Sequence, residues 1–277
     1  MLNLSRFSTF LLAITLFFVG AYALVSNADH SWGNYHWART SSPFTLKLID
    51  SVTAGWNSYL GTTATDWSAS AALDTTIVAG DDSSATRKKC SAVLGKNRIC
   101  NATYGNNGWL GIARVWVYSD GHIAQGVVKV NDTYFNTSRY NTPAWRNLVM
   151  CQEVGHILGL DHQDEIFDNA NLGTCMDYTN APAGGVVNEF NYGLSNEHPD
   201  PHDYTQLGSI YAHITDTFNS FSSTAFTGKA TNMIDIDTSN PSEWGRVVRK
   251  SKDGRNSLYE RDLGKGQKVF TFVIWAD

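Results

Sequence analysis

This 277-residue chain has no cluster of lysines and arginines, and its formal net charge is −5. Neither a nucleic acid nor an anionic membrane surface is therefore expected as a partner. Beyond residue 25 no stretch is apolar enough for its length to cross a bilayer, so no membrane contact is expected in the mature form. No internal repeat is visible, which excludes a solenoid or a propeller. Cysteine is sparse: there are four, and none precedes Cys90.

What is present starts with a leader. Arg6 is followed by an uncharged apolar run over residues 7–25, with small residues at Ala21-Tyr22-Ala23 and Ser26-Asn27-Ala28. A basic start, an apolar middle and a small-residue site describe a secretory signal peptide over residues 1–28, with an uncleaved anchor as the rival reading. The expected location is secreted, extracellular. Nine Trp, twelve Tyr and thirteen Phe supply a well-filled core for the rest.

Four cysteines permit three pairings. Cys90 and Cys100 flank a short polar loop and read as a local staple. Cys151 and Cys175 directly precede Gln152 and Met176, so a bridge there would tie two segments that the motif below brings together. The competing reading makes Cys151 a small buried apolar residue. An even count in an exported chain favours bridges.

Hydrophobic periodicity predicts a strand over 44–50, a helix over 52–70 and a short strand over 75–79. A polar region spans 80–106, followed by a strand over 110–118, the turn pair Asp120-Gly121, and a partner or edge strand over 123–130. Thr142 can cap the next helix, with Pro143 at its first position and Gly159 at its end. Loops fill 163–172 and most of 179–201, a helix follows over 202–213, and a Ser/Thr-rich linker lies near 215–231. Three short strands close the chain at 243–251, 257–263 and 268–275.

The most informative stretch is Gln152-Glu153-Val154-Gly155-His156-Ile157-Leu158-Gly159-Leu160-Asp161-His162. On a helix, residues 152 and 156 lie one turn apart on one face, so both side chains can reach one ion. Gly159 lets the chain leave the helix in a conformation that a Cβ resists, and His162 can return to the same point. Glu153 then stands beside the ion, placed to take a proton from water. Fourteen residues after His162 comes Met176, within Cys175-Met176-Asp177-Tyr178.

These two motifs resemble those of the metzincin zinc proteases, and among them the matrixin-like secreted enzymes. The departure is Gln152, where the family pattern His-Glu-x-x-His-x-x-Gly-x-x-His has its first His. The resemblance is strong over about 110–213, weaker over 35–109, and absent after about 225. It implies Zn2+ as cofactor, with Gln152, His156 and His162 as ligands and Glu153 as general base. It implies Met176 as the Met-turn floor, and Tyr178 as an additional ligand or oxyanion partner. It also implies a protein or peptide substrate laid as an added strand along residues 122–130. With no Cys before Cys90 to cap the metal, the signal-cleaved form is expected to need no further processing.

The expected fold is α+β: a metzincin-like domain over 29–225, with a twisted mixed sheet and two or three helices. A small antiparallel β extension over 226–277 follows. The expected function is a zinc metalloendopeptidase, with a catalytically inactive binding module as the alternative. His122, near the presumed cleft edge, is the one other histidine of interest. Asp164, Glu165 and Asp168 lack a regular calcium spacing and read as a solvated loop.

Overall fold

The computed structural model describes residues 30–213 and 240–276. The leader over 1–28 and the linker near 215–231 lie outside the described residues.

Phe44, Leu46 and Leu48 alternate with exposed Thr45 and Lys47, and this pattern makes β1 (Phe44–Ser51). Trp56, Leu60, Ala64 and Trp67 recur at helical spacing and form the buried stripe of α1 (Ala54–Trp67). Then come β2 (Leu73–Ala79), α2 (Ser84–Lys89), β3 (Asn97–Ala102), β4 (Trp109–Val117) and β5 (Ile123–Asn131). After a single turn, α3 (Asp132–Phe135), the chain enters α4 (Pro143–Ile157). The Thr142 side chain accepts from the Trp145 amide and Pro143 occupies the first position, as the sequence predicts. A two-stranded sheet, β6 (Gly185–Val187) with β7 (Phe190–Gly193), precedes α5 (Pro201–Ile210). The described C-terminal strands are β8 (Arg246–Lys250), β9 (Asn256–Gly264) and β10 (Gln267–Trp275).

The fold is α+β. Its main sheet has eight strands in the order β2-β1-β3-β5-β4-β10-β9-β8. Pairing is parallel from β2 to β5 and antiparallel from β5 onward. Every residue of β4 and β5 is buried, so both faces of the sheet are covered there. On one face lie α1 and α4; α4 is buried on all sides from Leu148 to Ile157 and so is the central helix. Two indoles close its polar accounts, Trp67 donating to the Cys151 carbonyl at 3.1 Å and Trp37 to that of Ile157 at 2.8 Å.

Two expectations change. Residues 122–130 are not an edge: β5 is enclosed between β3 and β4, with a ladder on each side. Gln125 and Lys129 are buried along with the strand's apolar residues. The C-terminal strands form an antiparallel meander as expected, but they continue the main sheet through the β4–β10 pairing instead of standing apart from it.

Candidate metal centre

The last turns of α4 present Gln152, Glu153 and His156, and the loop beyond Ile157 returns His162. The return depends on Gly159, whose φ of +106° is closed to most side chains. The Leu160 amide then bonds back to the Gly155 carbonyl and the Asp161 amide to that of His30, fixing the loop against the helix end.

His156 and His162 face each other with Nε2 atoms 2.9 Å apart and ring planes at 90°. Their tautomers are set by the other ring nitrogens. Nδ1 of His156 is 2.9 Å from the Leu160 carbonyl, which only accepts, so that nitrogen carries the proton. Nδ1 of His162 lies 2.7 Å from Glu165 Oε1 and 3.4 Å from Arg249 Nη2; the shorter contact makes it a donor to the carboxylate. Two lone pairs therefore point at each other, an arrangement that needs a proton or a metal cation between them. Imidazoles held through Nδ1 by a carbonyl and a carboxylate are the usual outer support of metal-binding histidines.

Three buried oxygens on the same stretch of α4 bear on the choice. Gln152 Nε2 donates to the Cys175 carbonyl at 2.9 Å, and its Oε1 is buried with no protein partner. Both carboxylate oxygens of Glu153 are likewise buried and unmatched. One proton would satisfy the imidazoles and leave these three oxygens stranded, at a cost of about 1–3 kcal/mol for each neutral group and more for a charged one. A cation with its water would engage them as well. The donor types thus fit a metal, with an amide oxygen where zinc more often has nitrogen, sulfur or carboxylate; the present 2.9 Å contact is an ordinary N–H···N distance, and the two nitrogens would stand about 3.3 Å apart on one tetrahedral ion. Burial pushes the Glu153 carboxyl well above its ordinary pKa. Burial, followed by the neighbouring His162, pushes His156 well below its own.

Cys175 and Met176 lie in a turn. Met176 is buried beneath α4 at Gly155, where an added Cβ would collide with its sulfur and come within 2.9 Å of Trp67. Both expected disulfides are present, Cys90–Cys100 and Cys151–Cys175. The second joins α4 to the segment whose Cys175 carbonyl aligns the Gln152 amide. Tyr178 packs its ring 4.5 Å from that of His162, and its hydroxyl donates to the Val273 carbonyl of β10 at 3.0 Å. Burial holds that phenol well above its ordinary pKa.

Several participants were not expected. Glu165, read as part of a solvated loop, instead orients His162. Burial alone would raise its pKa, but the His162 hydrogen bond and the charges of His162 and Arg249 hold it down to about 2. Asp161, His162 and Glu165 are grouped closely enough to hold a cation of their own. That place is already taken by the Arg249 guanidinium, 2.6 Å from Asp161 Oδ1 and 2.9 Å from Glu165 Oε1. Phe272 of β10 stacks on the His156 ring at 4.0 Å and 11°. Asp164 and Asp168 bond to Asn169 and Asn180. His122 packs with His36, whose Nε2 faces that of His213 at 3.0 Å, and not with the central pair. The i,i+3 spacing of Glu165 after His162 was a signal in the sequence; Arg249 and Phe272 had none.

No family model matches the chain, and neither does any curated protein. Among solved structures it is similar to myroilysin, at 11% identity and a TM-score of 0.39, over 67% of this chain and 99% of that one. It is also similar to high choriolytic enzyme 1, a hatching-enzyme zinc-protease of the medaka fish Oryzias latipes. There the identity is 10% and the TM-score 0.36, with 67% of this chain and 99% of the other covered. Likeness of this degree transfers no residue role.

Proposed function

We propose that the protein is an exported zinc-dependent endopeptidase acting on protein or peptide substrates. One observation carries this reading: two imidazoles with fixed tautomers direct their free nitrogens at each other, and the stretch of α4 that bears His156 also buries unmatched oxygens on Gln152 and Glu153. His156 and His162 would hold Zn2+ through Nε2, and Gln152 through Oε1. Bound there, zinc supplies Lewis acidity to a scissile carbonyl and to water. Glu153 takes the water's proton and hands it to the leaving amine. Leu160 and Glu165 keep the two rings in the competent tautomer, and the Cys175 carbonyl keeps the Gln152 amide from turning over. Met176 supplies an apolar floor. Tyr178 is the group available as a further ligand or oxyanion partner, once its hydroxyl is freed from Val273. Two disulfides and the leader support export, and among the described residues no helix is long and apolar enough to cross a membrane.

Elemental analysis should find about one zinc per chain, and casein cleavage should stop on chelation. Glu153→Gln should abolish turnover by at least about 100-fold, the low end for a lost general base, while zinc content stays unchanged. A second reading, a silent binding module, is favoured by one fact: the four central residues are 0–9% exposed. Protein that purifies without zinc and leaves casein intact would establish that reading in place of the first.

A further inference from the structure

β4 runs beside α4, and without the C-terminal strands it would be the edge of the sheet next to the His156–His162 pair. That edge is taken. β10 pairs with it antiparallel, from Lys268 opposite Val117 to Trp275 opposite Trp109. An extended peptide adding itself to β4 would form the same kind of backbone ladder.

The side chains of the meander engage the centre itself. Phe272 covers the His156 ring. The Val273 carbonyl holds the Tyr178 hydroxyl. From β8, Arg249 reaches Asp161 and Glu165, the carboxylate that orients His162. Under this cover Gln152 is 0%, Glu153 1%, His156 1% and His162 9% exposed. With these residues so deeply buried, a peptide carbonyl reaches Glu153 only in the fraction of molecules whose β10 has moved aside. A peptidase built this way is closed by its own chain.

We propose that the β8–β10 meander is a built-in occupant of the peptide-binding edge. β10 lies along β4 where substrate would lie, and the enzyme is latent until the meander moves aside. The inference rests on the peptidase reading for its functional meaning, but the occupancy can be tested without it. Because β10 is tethered, it competes at a high effective concentration that a free substrate must overcome. Apparent affinity for a peptide in trans is then reduced by the fraction of molecules with the edge open.

The test uses the full chain, as wild type, Phe272→Ala and, separately, Arg249→Ala. The second variant sits on a half-exposed side chain and spares the core if the first fails to fold. The probe is a labelled synthetic peptide of residues 266–276 with a lysine tail, read by fluorescence anisotropy, with casein cleavage measured in parallel. Hydrogen exchange at β3 and β5 confirms that each variant is folded. The folded variants should bind the probe at least about tenfold more tightly than wild type and cleave casein correspondingly faster, as a larger open fraction requires. Tighter probe binding without any cleavage would keep the occupancy and defeat the peptidase reading. Folded variants that neither bind the probe better nor outpace wild type on casein would overturn the proposal. Wild type already cleaving as fast as the variants would overturn it too.

Discussion

Gln152 differs from an imidazole in two ways that matter to a metal: its oxygen is a weaker donor, and its amide can turn over. The Cys175 carbonyl removes the second difficulty by accepting from Nε2, so that Oε1 is the atom left facing inward. The first remains. Gln152→His should tighten zinc retention against a chelating dye by about 10–100-fold, the range typical of altered ligand support. Activity should rise less, because the Cys175 carbonyl would hold the new ring through one nitrogen and dictate its tautomer. A Gln152→His protein that loses zinc as fast as wild type would mean that residue 152 is not a ligand. Asp177 offers a second test, away from the imidazoles. Burial raises its carboxyl from 3.8 to about 7, against the opposing hydrogen bonds from Leu172 and Asn196. The fold therefore prefers the neutral form; that contribution is complete below about 3.8 and is lost as pH rises to about 7. Asp177→Asn should be the more stable protein at pH 8, by at most about 4 kcal/mol, with the advantage gone near pH 4. Thermal melts at the two pH values decide this, and equal differences at both would refute it. The meeting of His156 with His162 was legible in their spacing about Gly159, which lets the chain turn back on the helix end. Arg249 was not, since it meets Asp161 across 88 positions and nothing local announces the contact.

At the scale of elements, the disulfide between Cys151 and Cys175 couples α4 to the turn that holds Met176. It closes a loop of 24 residues, for which chain-entropy reasoning gives a contribution of about 3 kcal/mol. Replacing both cysteines by alanine should lower the urea midpoint accordingly. Zinc should be lost at lower urea than the far-ultraviolet signal, because the Cys175 carbonyl that aligns Gln152 moves first. Coincident loss of metal and secondary structure would speak against that order. The three C-terminal strands were readable as strands from their alternation and turn sequences. Their partner was not, because β10 pairs with β4 at separations from 151 (Val117 with Lys268) to 166 (Trp109 with Trp275), and register between distant strands leaves no mark in either one alone. The same gap misassigned the edge. Residues 122–130 look like a border strand only if one cannot know that β3 and β4 flank them.

For the molecule as a whole, β8 rather than β4 ends the sheet on this side. The two are opposite in character. β8 is five residues long, carries Arg246, Arg249 and Lys250, and is broken by two register shifts against β9. Short, cationic and irregular edges resist adding a neighbour's strand. β4 is nine residues, Trp-Leu-Gly-Ile-Ala-Arg-Val-Trp-Val, with one charge among apolar and β-branched side chains. Bare, it is the kind of segment that templates aggregation. The meander thus also governs colloidal behaviour. Conditions or substitutions that lift it should make light scattering grow steeply with protein concentration, and a β4-directed peptide added in excess should suppress the growth. Solubility and access to the His156–His162 pair would then be drawn from the same strand and could not be improved independently.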